Sequence, residues 1–191
     1  MQGTAMDKFF GNLHLVLLTG LVAAIALIAY LGPDQTLLLS YVLRWLHVFF
    51  GITWIGLLYY FNFVQIPTMP SVPAELKPGV SKYIAPNALF FFRWGAAFTV
   101  LTGLAVAHVS GYLHQALTFT AGFELIGIGM WLALIMAFNV WVIIWPNQKK
   151  ALGIVEADAD TKAKSAKTAM IFSRVNTLLS IPMLYAMANF S

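Results

Sequence analysis

The chain has 191 residues and a mass of 21.1 kDa, with 60% hydrophobic and only 9% charged residues. Soluble domains carry about 25% charged residues, so this composition and a mean hydropathy of +0.80 exclude an ordinary water-soluble fold and define an integral membrane protein. The absence of cysteine excludes disulfides, iron–sulfur clusters, thiolate zinc sites and covalently attached c-type haem in this chain. The formal charge of +4 and the pI near 9.4 come from few residues and read as a topology signal; no nucleic-acid partner is expected.

Five apolar runs are long enough to cross a bilayer, which takes roughly 20 helical residues. They are expected near 12–31, 38–65, 88–109, 118–145 and 168–189. The first follows Lys8 much as a signal peptide would. Its apolar run is about twice the usual length, however, and no small-residue cleavage site precedes Gly32-Pro33, so it is read as a helix. Lipid offers no partner to backbone polar groups, and the runs are too long for barrel strands. The expected fold class is therefore all-α, a single transmembrane domain over 1–191 built as a bundle of five transmembrane helices. Segment 66–87 carries Pro67, Pro70, Pro73, Pro78 and Pro86 and reads as a loop of broken turns along the interface. Segment 146–167 mixes Glu156, Asp158 and Asp160 with lysines and reads as a solvated face or an extension of the fifth helix into water.

Lysines set the orientation. Lys8 precedes the first helix, Lys77 and Lys82 lie in the second loop, and Lys149, Lys150, Lys162, Lys164 and Lys167 lie in the fourth. The other two loops and the C-terminus carry none. With five helices all these lysines fall on one side, so the N-terminus is expected in the cytoplasm and the C-terminus outside.

Ionisable groups within hydrocarbon cost about 3 kcal/mol or more each and face a bundle interior as a rule. Here they are Arg44, His47, Arg93, Glu124 and Arg174, with His108 near a rim. On this topology Arg44, His47 and Glu124 share the outer half, with His108 beyond them. Asn62, Arg93, Asn139, Arg174 and Asn176 lie toward the cytoplasmic ends. Two polar layers separated by apolar packing are expected. Arg44 and His47 are three apart and share a face, which Gly51 and Trp54 continue. A glycine one turn from a histidine leaves room for a porphyrin, and an arginine one turn beyond can reach a propionate. Glu124, Gly127, Trp131 and Phe138 form a stripe on the fourth helix. Thr99, Gly103 and Ala107 form a small-residue line on the third that permits close packing. Other readings stand beside these. His47 can be a hydrogen-bonded packing residue, His14, His108 and His114 interfacial groups, Arg93 and Arg174 snorkelling side chains, and Pro182 a tolerated kink.

The string Arg44-Trp45-Leu46-His47-Val48, followed by Gly51-Ile52-Thr53-Trp54-Ile55-Gly56 and Tyr59-Tyr60-Phe61, resembles the N-terminal membrane domain of bacterial cytochrome-c-type urate oxidase. Three later strings agree in order: Phe92-Arg93-Trp94 with Leu101-Thr102-Gly103, Asn139-Val140-Trp141 through Trp145-Pro146-Asn147-Gln148, and Ser173-Arg174-Val175-Asn176 through Ser180-Ile181-Pro182. A looser likeness, a histidine about seven residues before Trp-x-Gly, extends to the haem-binding membrane protoporphyrinogen oxidase and to copper-resistance membrane domains.

The resemblance implies a module of the bacterial cytoplasmic membrane that holds haem b and passes electrons onward. His47 becomes the leading axial ligand with Arg44 beside it, and Arg93, Asn139, Arg174 and Asn176 form the inner layer. Longer family members end in a cytochrome c domain with a Cys-x-x-Cys-His motif, which this chain lacks. The electron acceptor is therefore expected to be a separate protein such as a cytochrome c, and urate as substrate is left open. Together these readings give a membrane haem-b redox protein. The expected cofactor-binding residues are His47, Arg44, Gly51, Trp54, Glu124, Arg93, Arg174 and Asn176, with His47 and His108 as candidate iron ligands. Histidines at different depths do not make a simple axial pair, so a five-coordinate iron also fits. The alternative is a non-catalytic subunit or assembly partner of a larger membrane complex.

Overall fold

The computed structural model describes residues 4–190. Among these there is no strand, and five helices are long and apolar enough to cross a membrane: Leu13–Leu31, Gln35–Ser71, Lys77–Val109, Glu124–Ala151 and Ala159–Ala188. They are called the first to fifth spans below. The chain divides into two compact units, Met1–Val42 and Leu43–Ser191.

The first unit opens with a short helix, Ala5–Phe10, fixed by a capping box. The Asp7 carboxylate accepts from Thr4 N at 2.7 Å, and Thr4 Oγ1 accepts from Asp7 N at 3.2 Å. Asn12 then caps the first span by accepting from Leu15 N at 3.2 Å. That span ends at Gly32, where a side chain would collide with the Ile28 carbonyl, and Pro33 follows. None of its residues is buried, and the helix is apolar all round.

The second unit holds most of the second span and all of the third, fourth and fifth. Its central core contains Trp54, Leu58, Phe92, Met136, Val140 and Ile144, all essentially sealed. A smaller cluster at the other end joins Ala107, Ala116, Ile126 and Met130 to Tyr112, Phe123 and Phe190. Outward faces carry exposed Phe91, Ile128, Leu178 and Ile181.

Two of the five prolines of 66–87, Pro67 and Pro86, do not break the helices as expected, whereas Pro73 lies in the turn 72–76 that separates the second and third spans. A proline removes one N–H and crowds the carbonyl four residues back, and here a widened π turn absorbs the clash. Tyr60–Gln65 lies just before Ile66-Pro67, Val80–Ile84 before Ala85-Pro86, and Asn139–Ile144 before Trp145-Pro146. The second span therefore runs on to Ser71, the third begins at Lys77, and the fourth continues to Ala151. The fourth also starts later than expected, at Glu124. Phe119 (φ 54°) and Gly122 (φ 89°) take left-handed backbone there, which closes a turn after the short helix Leu113–Leu117. The fifth span does extend beyond its apolar run, to Ala159, where Asp158 caps it.

Candidate functional site

Antiparallel packing of the second and third spans sets the position of His47. Three small residues four apart on the third span, Gly95, Thr99 and Gly103, receive Trp54, Gly51 and His47 in turn. A Cβ on Gly95 would lie 3.2 Å from Trp54 N, one on Gly51 would lie 3.9 Å from Thr99 Cγ2, and one on Gly103 would lie 2.7 Å from His47 Cε1. Glycine at 103 lets the imidazole approach the third span this closely, since a side chain there would collide with the ring. From there His47 Nδ1 is 2.8 Å from the Thr99 carbonyl oxygen. A carbonyl can only accept, so Nδ1 carries the hydrogen, and in the neutral ring Nε2 holds the lone pair. Metal-bound histidines make this same bond through the nitrogen that does not ligate. Thr99 and Thr102 spend their hydroxyls on their own helix, donating to the Gly95 and Phe98 carbonyls at 2.7 and 2.6 Å.

The inner level is a different kind of site. Asn176 is fully buried, accepts from Asn139 Nδ2 at 2.8 Å, and donates to the Met136 carbonyl at 2.9 Å. Asn62 donates to Ser173 Oγ at 2.8 Å, and Tyr59 hydroxyl meets Ser180 Oγ at 3.0 Å. Asn62 and Asn139 both sit in π turns, and both bond to one stripe of the fifth span, Ser173, Asn176 and Ser180. Beside this network the Arg93 guanidinium lies over the Trp145 ring, with Cζ 3.3 Å from its centroid.

The other expected site residues are placed as follows. Gly51 and Trp54 face the third span, so the space beside Gly51 is taken by Thr99. Arg44 is exposed and close enough to Tyr112 for its charge to act there. Burial pushes the Tyr112 phenol up, and Arg44 pulls it partly back. Glu124 is exposed at the first turn of the fourth span, where its carboxylate accepts from Gly122 N at 2.7 Å. Arg174 is exposed on the face away from Ser173 and Asn176. His108 is exposed too, five residues beyond Gly103 and so about 7.5 Å further along the helix than the His47 ring. His47 and His108 are not brought together. Among the described residues no three of His, Cys, Asp or Glu form a group able to hold a metal ion.

The fold and these features define a class: an all-helical protein with five membrane-length helices, one half-buried histidine held by a backbone carbonyl, and an internally bonded amide layer. Within that class, residues 106–190 match the family described as Urate oxidase N-terminal. The match covers the end of the third span and all of the fourth and fifth, which is under half of the chain. It includes Asn139, Trp145 and Asn176 and stops short of His47 and Arg93. No curated protein and no solved structure matches the chain.

Proposed function

We propose that the chain is a multi-pass subunit of the bacterial cytoplasmic membrane, of the urate-oxidase membrane-domain type. Its N-terminus faces the cytoplasm and its C-terminus the outside, as the one-sided lysines favour. It holds one haem b through Nε2 of His47 and passes electrons to a separate redox protein such as a cytochrome c. The observation that carries this reading is the His47 Nδ1 bond to the Thr99 carbonyl, which fixes the ring and its tautomer with Nε2 as the donor. His47 would supply one ligand to the haem, and His108, which stands at another level, would not supply a second. When bound, the haem supplies one-electron chemistry. The chain's own residues orient the imidazole through Thr99 and seat it against Gly103, with Arg44 one turn away on the same helix face.

The test is an absorption spectrum of detergent-purified protein, oxidised and then dithionite-reduced, with His47→Ala alongside. The expected result is a Soret band with sharp reduced α and β bands, lost in the variant. A featureless spectrum from protein made with ample haem overturns the reading. One observation favours a second reading, that of a structural subunit. The buried Asn139–Asn176–Met136 chain satisfies its own donors and works as glue between helices without any ligand. A colourless protein that co-purifies with other membrane subunits supports that reading.

A further inference from the structure

At the end of the second unit where the loop lysines gather, two cations share one aromatic ring. Arg93 Cζ is 3.3 Å from the Trp145 ring centroid, and Lys149 Nζ is 5.6 Å from it. With a common centroid, the two charges can be no more than 8.9 Å apart. Arg93 comes from the third span and Trp145 and Lys149 from the fourth, so the pairing depends on the fold and not on one helix alone. Among the described residues neither cation has an acidic partner, and Arg93 Nη1 is buried with no hydrogen bond at all. A sealed, unpaired guanidinium N–H is costly unless something accepts from it.

Depth identifies what can. At about 1.5 Å per residue, Trp145 lies about 31 Å below Glu124, at the far side of a hydrocarbon layer roughly 30 Å thick. Arg93 lies about 24 Å below Val109 on the same scale, and its long side chain reaches toward that boundary. The pair therefore stands at the level of lipid headgroups. The geometry points to a site for the phosphodiester of an anionic phospholipid, bridged by Arg93 and Lys149 against the Trp145 face. Arginine supplies the planar fork that suits two phosphate oxygens, and lysine supplies a point charge. The inference rests on the membrane reading above.

The experiment uses the full chain in detergent, titrated with dioleoyl phosphatidylglycerol or dioleoyl phosphatidylcholine, with the first lipid bound counted by native mass spectrometry. Phosphatidylglycerol binds more tightly. Arg93→Gln and Lys149→Gln each lower its affinity about fivefold and leave phosphatidylcholine unchanged. Arg93→Lys falls between wild type and Arg93→Gln. Lys164→Gln, which removes an exposed cation elsewhere on the same side, changes nothing. Should Arg93→Gln fail to fold, Lys149→Gln at the helix end still decides the question. Equal affinity for the two lipids, or a loss in Lys164→Gln as large as in Lys149→Gln, overturns the site. Inorganic phosphate at millimolar concentration leaves lipid binding intact; full competition by it would replace the lipid by a free anion. Alkaline carbonate washing of membranes separates the two levels of the argument. Release of the protein removes the membrane reading and the lipid site with it. Retention without a phosphatidylglycerol preference removes only the lipid site.

Discussion

The outer and inner levels of the second unit both bury polar groups, and they dispose of them in opposite ways. The inner level closes around one amide pair: Asn139, Asn176 and the Met136 carbonyl bond one another, while Asn62 donates to Ser173 and leaves its own carbonyl oxygen buried without a partner. The outer level is open, because His47 has one nitrogen committed to Thr99 and the other carrying a lone pair. A closed amide network ties helices together. A half-committed histidine offers a donor atom at a fixed place. The contrast separates what holds this unit from what the unit is able to do.

Two substitutions break the comparison if it is wrong. Asn176→Leu removes both bonds of a fully buried amide and leaves Asn139 with an unpaired donor. The expected loss is about 2–3 kcal/mol in detergent unfolding, with little change in any cofactor spectrum. Gly103→Ala acts the other way. Its methyl would sit 2.7 Å from His47 Cε1, so the ring must tilt off the backbone. Stability should fall by about 1 kcal/mol, while the haem spectrum proposed above, with its reduced bands, should shift or vanish. A Gly103→Ala protein with an unchanged spectrum would remove the ring's seat from the argument. An Asn176→Leu protein of unchanged stability would remove the glue.

Much of this was legible from residue types, and the failures have physical causes. Five spans followed from apolar length alone, because hydrocarbon thickness fixes helix length. Proline marked the ends of two spans wrongly. Pro67 and Pro86 were read as breakers, yet π turns let the helices pass through them, and nothing in a one-dimensional pattern distinguishes a broken helix from a widened one. Depth placed Arg174 and Asn176 together in the inner layer. Two residues apart on a helix is about half a turn, so one faces the core and the other faces out. Which one is inward depends on the neighbours of the fifth span, and the sequence carries no register between helices. The same missing register hid the Thr99 carbonyl as the partner of His47, although the line Thr99–Gly103 was visible as small residues. Glu124 was placed inside a span because the turn at Phe119 and Gly122 resembles apolar chain in composition.

The smallest effect expected concerns the inner end alone and sharpens the comparison by leaving the outer level untouched. Asp158 caps the fifth span, accepting from Thr161 Oγ1 at 2.7 Å and from Thr161 N at 2.8 Å. These two bonds, the hydroxyl first, hold its carboxyl below the ordinary value of 3.8. A carboxyl lowered on folding stabilises above its unfolded value and loses that contribution as pH falls through the folded one. Acidification below 3.8 should therefore lower hydrogen-exchange protection over the first turn of the span, 159–162, while the Asn176 amide network keeps its own. Asp158→Ala should show the frayed turn already at neutral pH. Asp158→Asn should keep the cap and abolish its acid sensitivity, since asparagine caps equally well without a titrating proton. If protection at 159–162 does not respond to pH in the wild-type protein, the Asp158 cap is not what starts this helix.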